Sequence, residues 1–171
     1  MTASPSSTSS AAATSTAPRA AAASAVVGCA SGHVAVSLGP MTAGLGHFGL
    51  ALLFRNAGSR PCSLTGYPSA ALIVAGGRRG QLQVARTPNG YLGGLSATAT
   101  SVPIVRLAPG QTAAALLEGE DSTGGGKPCP RSTALLVTPP NQTVMVRLAR
   151  SMSICRPELH PVVPGTSGRQ G

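Results

Sequence analysis

The sequence predicts an all-β fold: an immunoglobulin-like antiparallel β-sandwich of about eight short strands closed by two disulfides. Three observations carry this. Short apolar runs recur at near-regular spacing with turn residues between them, the signature of a sandwich rather than a bundle. Charged residues make up 10% of the 171 and aromatics 2%, while Gly (22) and Pro (15) are abundant; this composition suits strands joined by turns better than helices. Four cysteines, Cys29, Cys62, Cys129 and Cys155, each sit beside turn residues or at the edge of a run.

The first segment, residues 1–28, is almost entirely Ser, Thr, Ala and Pro with one charge, Arg19. Side chains this small bury too little area to offset chain entropy, so a disordered stalk or export-related segment is expected, able to carry O-linked sugars. The run after Arg19 is a poor signal-peptide core because it is mostly Ala. "VVGC" (26–29) has the look of a lipoprotein cleavage box, but lipidating Cys29 would leave an odd number of cysteines. No apolar run is long enough to cross a membrane as a helix.

The ordered part is expected over 29–163. "HVAVSL" (33–38) alternates, and "GHFGLALLFRN" (46–56) alternates strongly, with Phe48, Leu50, Leu52 and Phe54 on one face. "NAGSRP" (56–61) is a turn. "SAALIVA" (69–75), "GGRRG" and "QLQVA" (81–85) read as a hairpin. Residues 86–101 form a long loop. "VPIVRL" (102–107) is a strand. "QTAAALLEGE" (111–120) has helix-friendly alanines but lies between a Pro-Gly turn and a Gly-rich loop, and is expected as a strand. "TALLVTP" (133–139) and "TVMVRLA" (143–149) make a late hairpin. A short strand after Cys155 and a disordered tail over 164–171 close the chain.

No cysteine pair has the spacing of a zinc ribbon or redox motif. Four cysteines allow three connectivities, and the sequence alone does not choose; the sequential pairing Cys29–Cys62 and Cys129–Cys155 is the expectation. Each bridge would close a loop of about 30 residues and contribute ~3–4 kcal/mol. Disulfides place the chain in an oxidising, extracytoplasmic compartment, secreted or at the cell surface.

The net charge is +9 and Lys127 is the sole lysine. Nucleic acid is not an expected partner, because the arginines are scattered and lack neighbouring aromatics for base stacking. The three histidines (His33, His47, His160) are expected at the surface and the methionines as gap-fillers; a copper-type site built from them with Met41, Met145 and Met152 is the alternative. The acids are Glu118, Glu120, Asp121 and Glu158. "EGED" (118–121) is expected as a solvated strand end, since it lacks a calcium-loop pattern. No paired-carboxylate, serine-nucleophile or phosphate-loop arrangement is present, so an enzyme is not expected, and neither cofactor nor resident metal is implied. "NQT" (141–143) matches a glycosylation sequon.

The order Gly46-His47, Asn56-x-Gly58, Cys62-x-Leu64-x-Gly66-Tyr67-Pro68, Leu107-x-Pro109-Gly110, Cys129, Pro139-Pro140 and Cys155 resembles an uncharacterised family of actinobacterial secreted and lipoprotein domains. The resemblance spans about Cys29 to Val163 and is most specific at Cys62 through Pro68. It implies a small exported β-sandwich with two disulfides, and no activity. Leu117-Glu118 stands where such domains often carry an aromatic. Within this frame Cys62 staples the turn after the Phe48–Phe54 strand to Cys29. Tyr67, its successor Pro68 fixed in φ, is expected to give the core a scarce large side chain. The function expected is that of a non-catalytic envelope binding module whose partner is an envelope polymer or protein. Loop 86–95 is the candidate surface, with Arg86, Asn89 and Tyr91 as contact residues.

Overall fold

A computed structural model describes Met1, residues 26–74 and residues 81–171. The expected stalk lies almost wholly outside the described residues, as does the turn with Arg78 and Arg79. The strands are β1 (Val34–Gly44), β2 (His47–Asn56), β3 (Cys62–Thr65), β4 (Ser69–Val74), β5 (Gln81–Gln83), β6 (Ala85–Arg86), β7 (Ile104–Leu107), β8 (Thr112–Glu120), β9 (Arg131–Thr138), β10 (Val146–Ser153), β11 (Cys155–Leu159) and β12 (Val163–Pro164). No helix forms among the described residues, and none is long and apolar enough to cross a membrane.

One sheet runs β1-β2-β8-β11-β6, with β12 also on β8; a second runs β10-β9-β4-β5; β3 and β7 form a third pair. Pairing is antiparallel apart from β11 with β6. The stretch expected as one strand over 81–85 is split at Val84. Its first half pairs with β4 and its second half with β11, so the chain changes sheets there. Such crossings make the corners of a sandwich and, with the short β3 and β12, raise the strand number above the expected eight.

The core lies between these sheets. Leu52, Phe54, Ala113, Ala115 and Leu117 come from the large sheet, Leu72, Leu135 and Val137 from the second, and Leu64, Val105 and Leu107 from the small pair. The alternation read in β2 holds: Leu50, Leu52 and Phe54 are buried, and Phe48 packs partly buried against the cluster. The alanine-rich segment is a strand because β2 pairs with it from His47↔Glu120 to Arg55↔Thr112 and β11 and β12 flank its other edge. Pairing on both edges outweighs the few tenths of a kcal/mol per residue by which helix propensities differ.

The cysteines pair as Cys29–Cys62 and Cys129–Cys155, with no free thiol. The first bridge works as expected. It ties the turn after β2 to the entering chain, and Cys29 N–H donates to the Ser63 carbonyl beside it, at 2.9 Å. Buried Asn56 organises that turn. Its Nδ2 donates to the carbonyls of Arg60 and Leu107, and its Oδ1 accepts from the Gly58 N–H. An Asn that bonds the backbone two residues on is a standard turn-former.

Two expectations need correction. Tyr67 is half-buried and lies outside the buried cluster, although Pro68 is buried; the core is closed by aliphatics, with Phe54 inside it and Phe48 packed against its edge. The tail over 164–171 is not free. Gly94 N–H donates to the Gly168 carbonyl and Gln170 N–H to the Gly94 carbonyl, so the last residues lie beside the loop that follows β6.

Candidate functional site

In β8 the side chains alternate between the two faces of the sheet. Ala113, Ala115 and Leu117 enter the core. Ala114, Leu116, Glu118 and Glu120 therefore face outward, with the partner positions Leu53, Ala51, Gly49 and His47 of β2. The outer face is nonetheless covered. The loop after β6 and the C-terminal segment lie across it: a Cβ on Gly93 would stand 2.5 Å from the Leu116 side chain, and one on Gly168 would stand 2.6 Å from the Leu116 backbone. Glu118 is consequently buried, 3% exposed, and His160 is entirely enclosed.

A carboxylate taken out of water must be paired and hydrogen-bonded, and Glu118 is. Its Oε1 accepts from the Tyr91 N–H at 2.8 Å, and its Oε2 from the Leu92 N–H at 2.9 Å. His160 Nε2 lies 3.2 Å from Oε2 and, placed to donate, completes a charge-assisted bond. The far side of that imidazole, Nδ1, lies 3.2 Å from both the hydroxyl and the carbonyl oxygen of Thr87. The Thr87 hydroxyl also lies within donating distance of Glu158 Oε2, at 3.2 Å. His47 approaches from β2, with Nδ1 3.6 Å from Glu118 Oε1, and its ring stacks on Tyr91 with centroids 4.6 Å apart and planes inclined by 19°.

Above this cluster lies a cleft of about 170 Å³ lined by His47, Tyr91, Glu118, Gly119, Glu120, Arg156 and Glu158. Arg156 and Glu120 form an ion pair at 3.0 Å on its rim. The exposed Tyr91 ring is its wall (56% exposed). Three of the four acids in the chain, all but Asp121, line this one cleft.

The structure separates the residues expected on loop 86–95. Tyr91 faces the cleft. Arg86 instead donates to Ser69 Oγ and lines a different cleft with Pro68 and Gln83. Asn89 is exposed and makes a backbone bridge with Gly94. The expectation that all three histidines are surface residues is corrected: His33 is exposed, His47 is half-buried and His160 is wholly buried. The expectation of a solvated strand end over 118–121 fails at Glu118, because the loop and the C-terminal segment cover that face of β8. Sequence reasoning missed Glu118 and His160. The available signal was an acid inside an otherwise apolar strand.

The residues of the alternative copper-type site are partly dispersed. Met145 lies near β4 and β5, whereas Met41, His47 and Met152 line one cleft with Arg150. Among the described residues no group of three His, Cys, Asp or Glu is arranged to hold a metal ion.

No curated protein and no solved structure matches the chain. A family model does, over residues 29–165, from the first bridged cysteine to the turn after β12. The chain therefore belongs to the family described as a domain of unknown function (DUF4232).

Proposed function

We propose that this chain is a non-catalytic, exported binding module of the actinobacterial cell envelope, an immunoglobulin-like sandwich that holds a neutral polar ligand, of the saccharide type, in the cleft beside Tyr91. The observation that carries the reading is the exposed Tyr91 ring, stacked on His47 and fixed above a buried carboxylate. A rigid amphipathic ring presents a flat apolar face at low entropic cost. Glu120, Glu158 and Arg156 supply convergent polar groups around it, the pattern of a small-molecule site. Concentrating acids there on a chain of net charge +9 disfavours an anionic ligand at this place. The two disulfides support an oxidising, extracytoplasmic setting.

The test is a titration of the purified chain with short neutral oligosaccharides, of N-acetylhexosamine and of hexose, followed by backbone amide shifts. Shifts centred on Tyr91, Glu120 and Arg156, lost in Tyr91→Ala, are expected. Shifts elsewhere, or none with any member of the set, overturn the reading.

A second reading, extracytoplasmic copper handling, has one observation in its favour: Met41, His47 and Met152 share a cleft. Thioether and imidazole ligands suit Cu(I). The Arg150 guanidinium, 3.4 Å from Met41 Sδ, opposes a cation there. Cu(I) titration against a competing chelator decides it, and an affinity weaker than micromolar excludes it. An enzyme with an unrecognised site finds less support, because the acids at the Tyr91 cleft are already engaged: Glu118 by two peptide N–H groups and His160, and Glu120 by Arg156.

A further inference from the structure

We propose that the buried Glu118–His160 pair is the positioning device for Tyr91, holding the binding loop preorganised before any ligand arrives. This rests on the binding-site reading above and deepens it. The pair itself is too enclosed to meet a ligand, with His160 wholly buried and the Glu118 side chain 5% exposed. What Glu118 holds is the loop: both carboxylate oxygens accept from consecutive peptide N–H groups, those of Tyr91 and Leu92. Two such bonds fix the orientation of the peptide plane on each side of the Tyr91 Cα, and hence the direction in which the ring leaves the backbone.

A purely stabilising role explains this less well. Replacing a buried pair of polar side chains by apolar groups of similar volume is often neutral or stabilising. A well-packed apolar side chain at 118 would cover Leu92 but would leave two inward-pointing N–H groups without acceptors, and so would not fix their direction. The rest of the loop is built to lie directly on the pair. A Cβ on Gly90 would fall 2.4 Å from Glu118 Oε2, and one on Gly94 would fall 3.0 Å from the His160 ring. His160 is in turn held by Thr87, at the start of the same loop, and through its backbone N–H by the Leu116 carbonyl, at 3.0 Å. The loop is thereby fastened at its start and at Tyr91–Leu92 to one buried cluster. Rigid presentation of a contact ring removes ordering costs that would otherwise weaken binding.

The test uses the full chain carrying Glu118→Gln. A glutamine offers one carbonyl oxygen and one amide group, so at least one of the two N–H groups meets a donor. Amide hydrogen exchange at Tyr91 or Leu92 is expected to rise at least about tenfold, the equivalent of losing one bond to a charged acceptor. The His47 ring resonances, shifted by the stacked Tyr91, are expected to move toward their unstacked positions. A folded Glu118→Gln protein with unchanged exchange and unchanged His47 resonances overturns the proposal. Should Glu118→Gln fail to fold, Thr87→Val, which exchanges the hydroxyl shared by His160 and Glu158 for a methyl, decides. A rise of several-fold in the same two amides supports the proposal and no change overturns it. These readouts need no ligand. A loop loosened in the variant, with no oligosaccharide bound by the natural chain, overturns the binding reading and leaves the positioning of Tyr91 standing. An unchanged loop overturns the positioning whether or not the natural chain binds.

Discussion

Gly90→Ala is the smallest change that probes the loop's seat on the buried cluster. The added methyl would stand 2.4 Å from Glu118 Oε2 and 2.7 Å from both Cε1 and Nε2 of His160. Neither neighbour is a free side-chain end, since Glu118 is held by two peptide N–H groups and His160 by Thr87. Two responses are open. The loop can stay, and the clash then costs about 1–3 kcal/mol as overpacking. The loop can lift instead, and the two bonds to the carboxylate are then lost at about 1.5–3 kcal/mol each. The smaller cost decides, so a loss of about 2 kcal/mol is expected. For a chain of this length each kcal/mol shifts Tm by roughly 2–4 °C, giving a fall of about 4–8 °C. Gly125→Ala is the matched control: it lies in an exposed loop with nothing within 4 Å of the added Cβ. Less chain entropy in its unfolded state leaves it neutral or stabilised by up to about 1 kcal/mol. Thermal and urea unfolding of the two variants beside the natural chain is the assay. Equal midpoints for Gly90→Ala and Gly125→Ala would refute the reasoning, because the loop would then not rest on Glu118 and His160.

Two further outcomes are expected. Replacing both Cys29 and Cys62 by Ala opens a 33-residue span and replacing Cys129 and Cys155 opens one of 26. Loop-closure entropy puts the losses at about 3.7 and about 3.5 kcal/mol, so similar falls in urea midpoint are expected, and a bridge whose removal costs under about 1 kcal/mol would show that the unfolded chain is already constrained. Phe54→Ala, at a wholly buried position against the core cluster, is expected to cost about 3–5 kcal/mol; equilibrium unfolding checks this, and a loss below about 1.5 kcal/mol would place Phe54 outside the core.

Much of the fold was legible because strand signals are local. The β2 alternation from Phe48 to Phe54 needs only the chain's own period of two, and the turn clusters mark where it stops. Pro-Gly and the Gly-rich loop on either side of the alanines likewise identified β8 against its helix preference. Legibility ended where pairing, not pattern, decides. Val84 carries no mark that the chain changes sheets there, because that depends on β4 and β11 being available as partners. Tyr67 reads as core from its size and its neighbour Pro68, yet a side chain's depth depends on what lies over it, and nothing within the motif specifies that.

The candidate site was less legible for a related reason. Glu118 and His160 lie 42 residues apart, Tyr91 and Glu118 lie 27 apart, and none of the intervals is a ligand spacing. They meet because β11 pairs with β8 and puts Glu158 beside Glu118, so that His160, two residues on, falls on the same outer face. The loop after β6 then closes over both. An outward strand position in a sandwich is ordinarily solvated, and that default is what made Glu118 read as a strand end. The default fails whenever a later segment covers the sheet's outer face, and here the cover includes Gly168, 50 positions beyond Glu118 in the sequence. The acid in an otherwise apolar strand was nevertheless a signal. A carboxylate costs several kcal/mol to bury unless it is paired, so one between Leu117 and Gly119 should be either solvated or provided with donors from elsewhere in the chain. The two alternatives predict opposite surroundings, and the glycines at 90 and 94, each leaving space around that carboxylate or its histidine partner, are the residues a chain needs for the second.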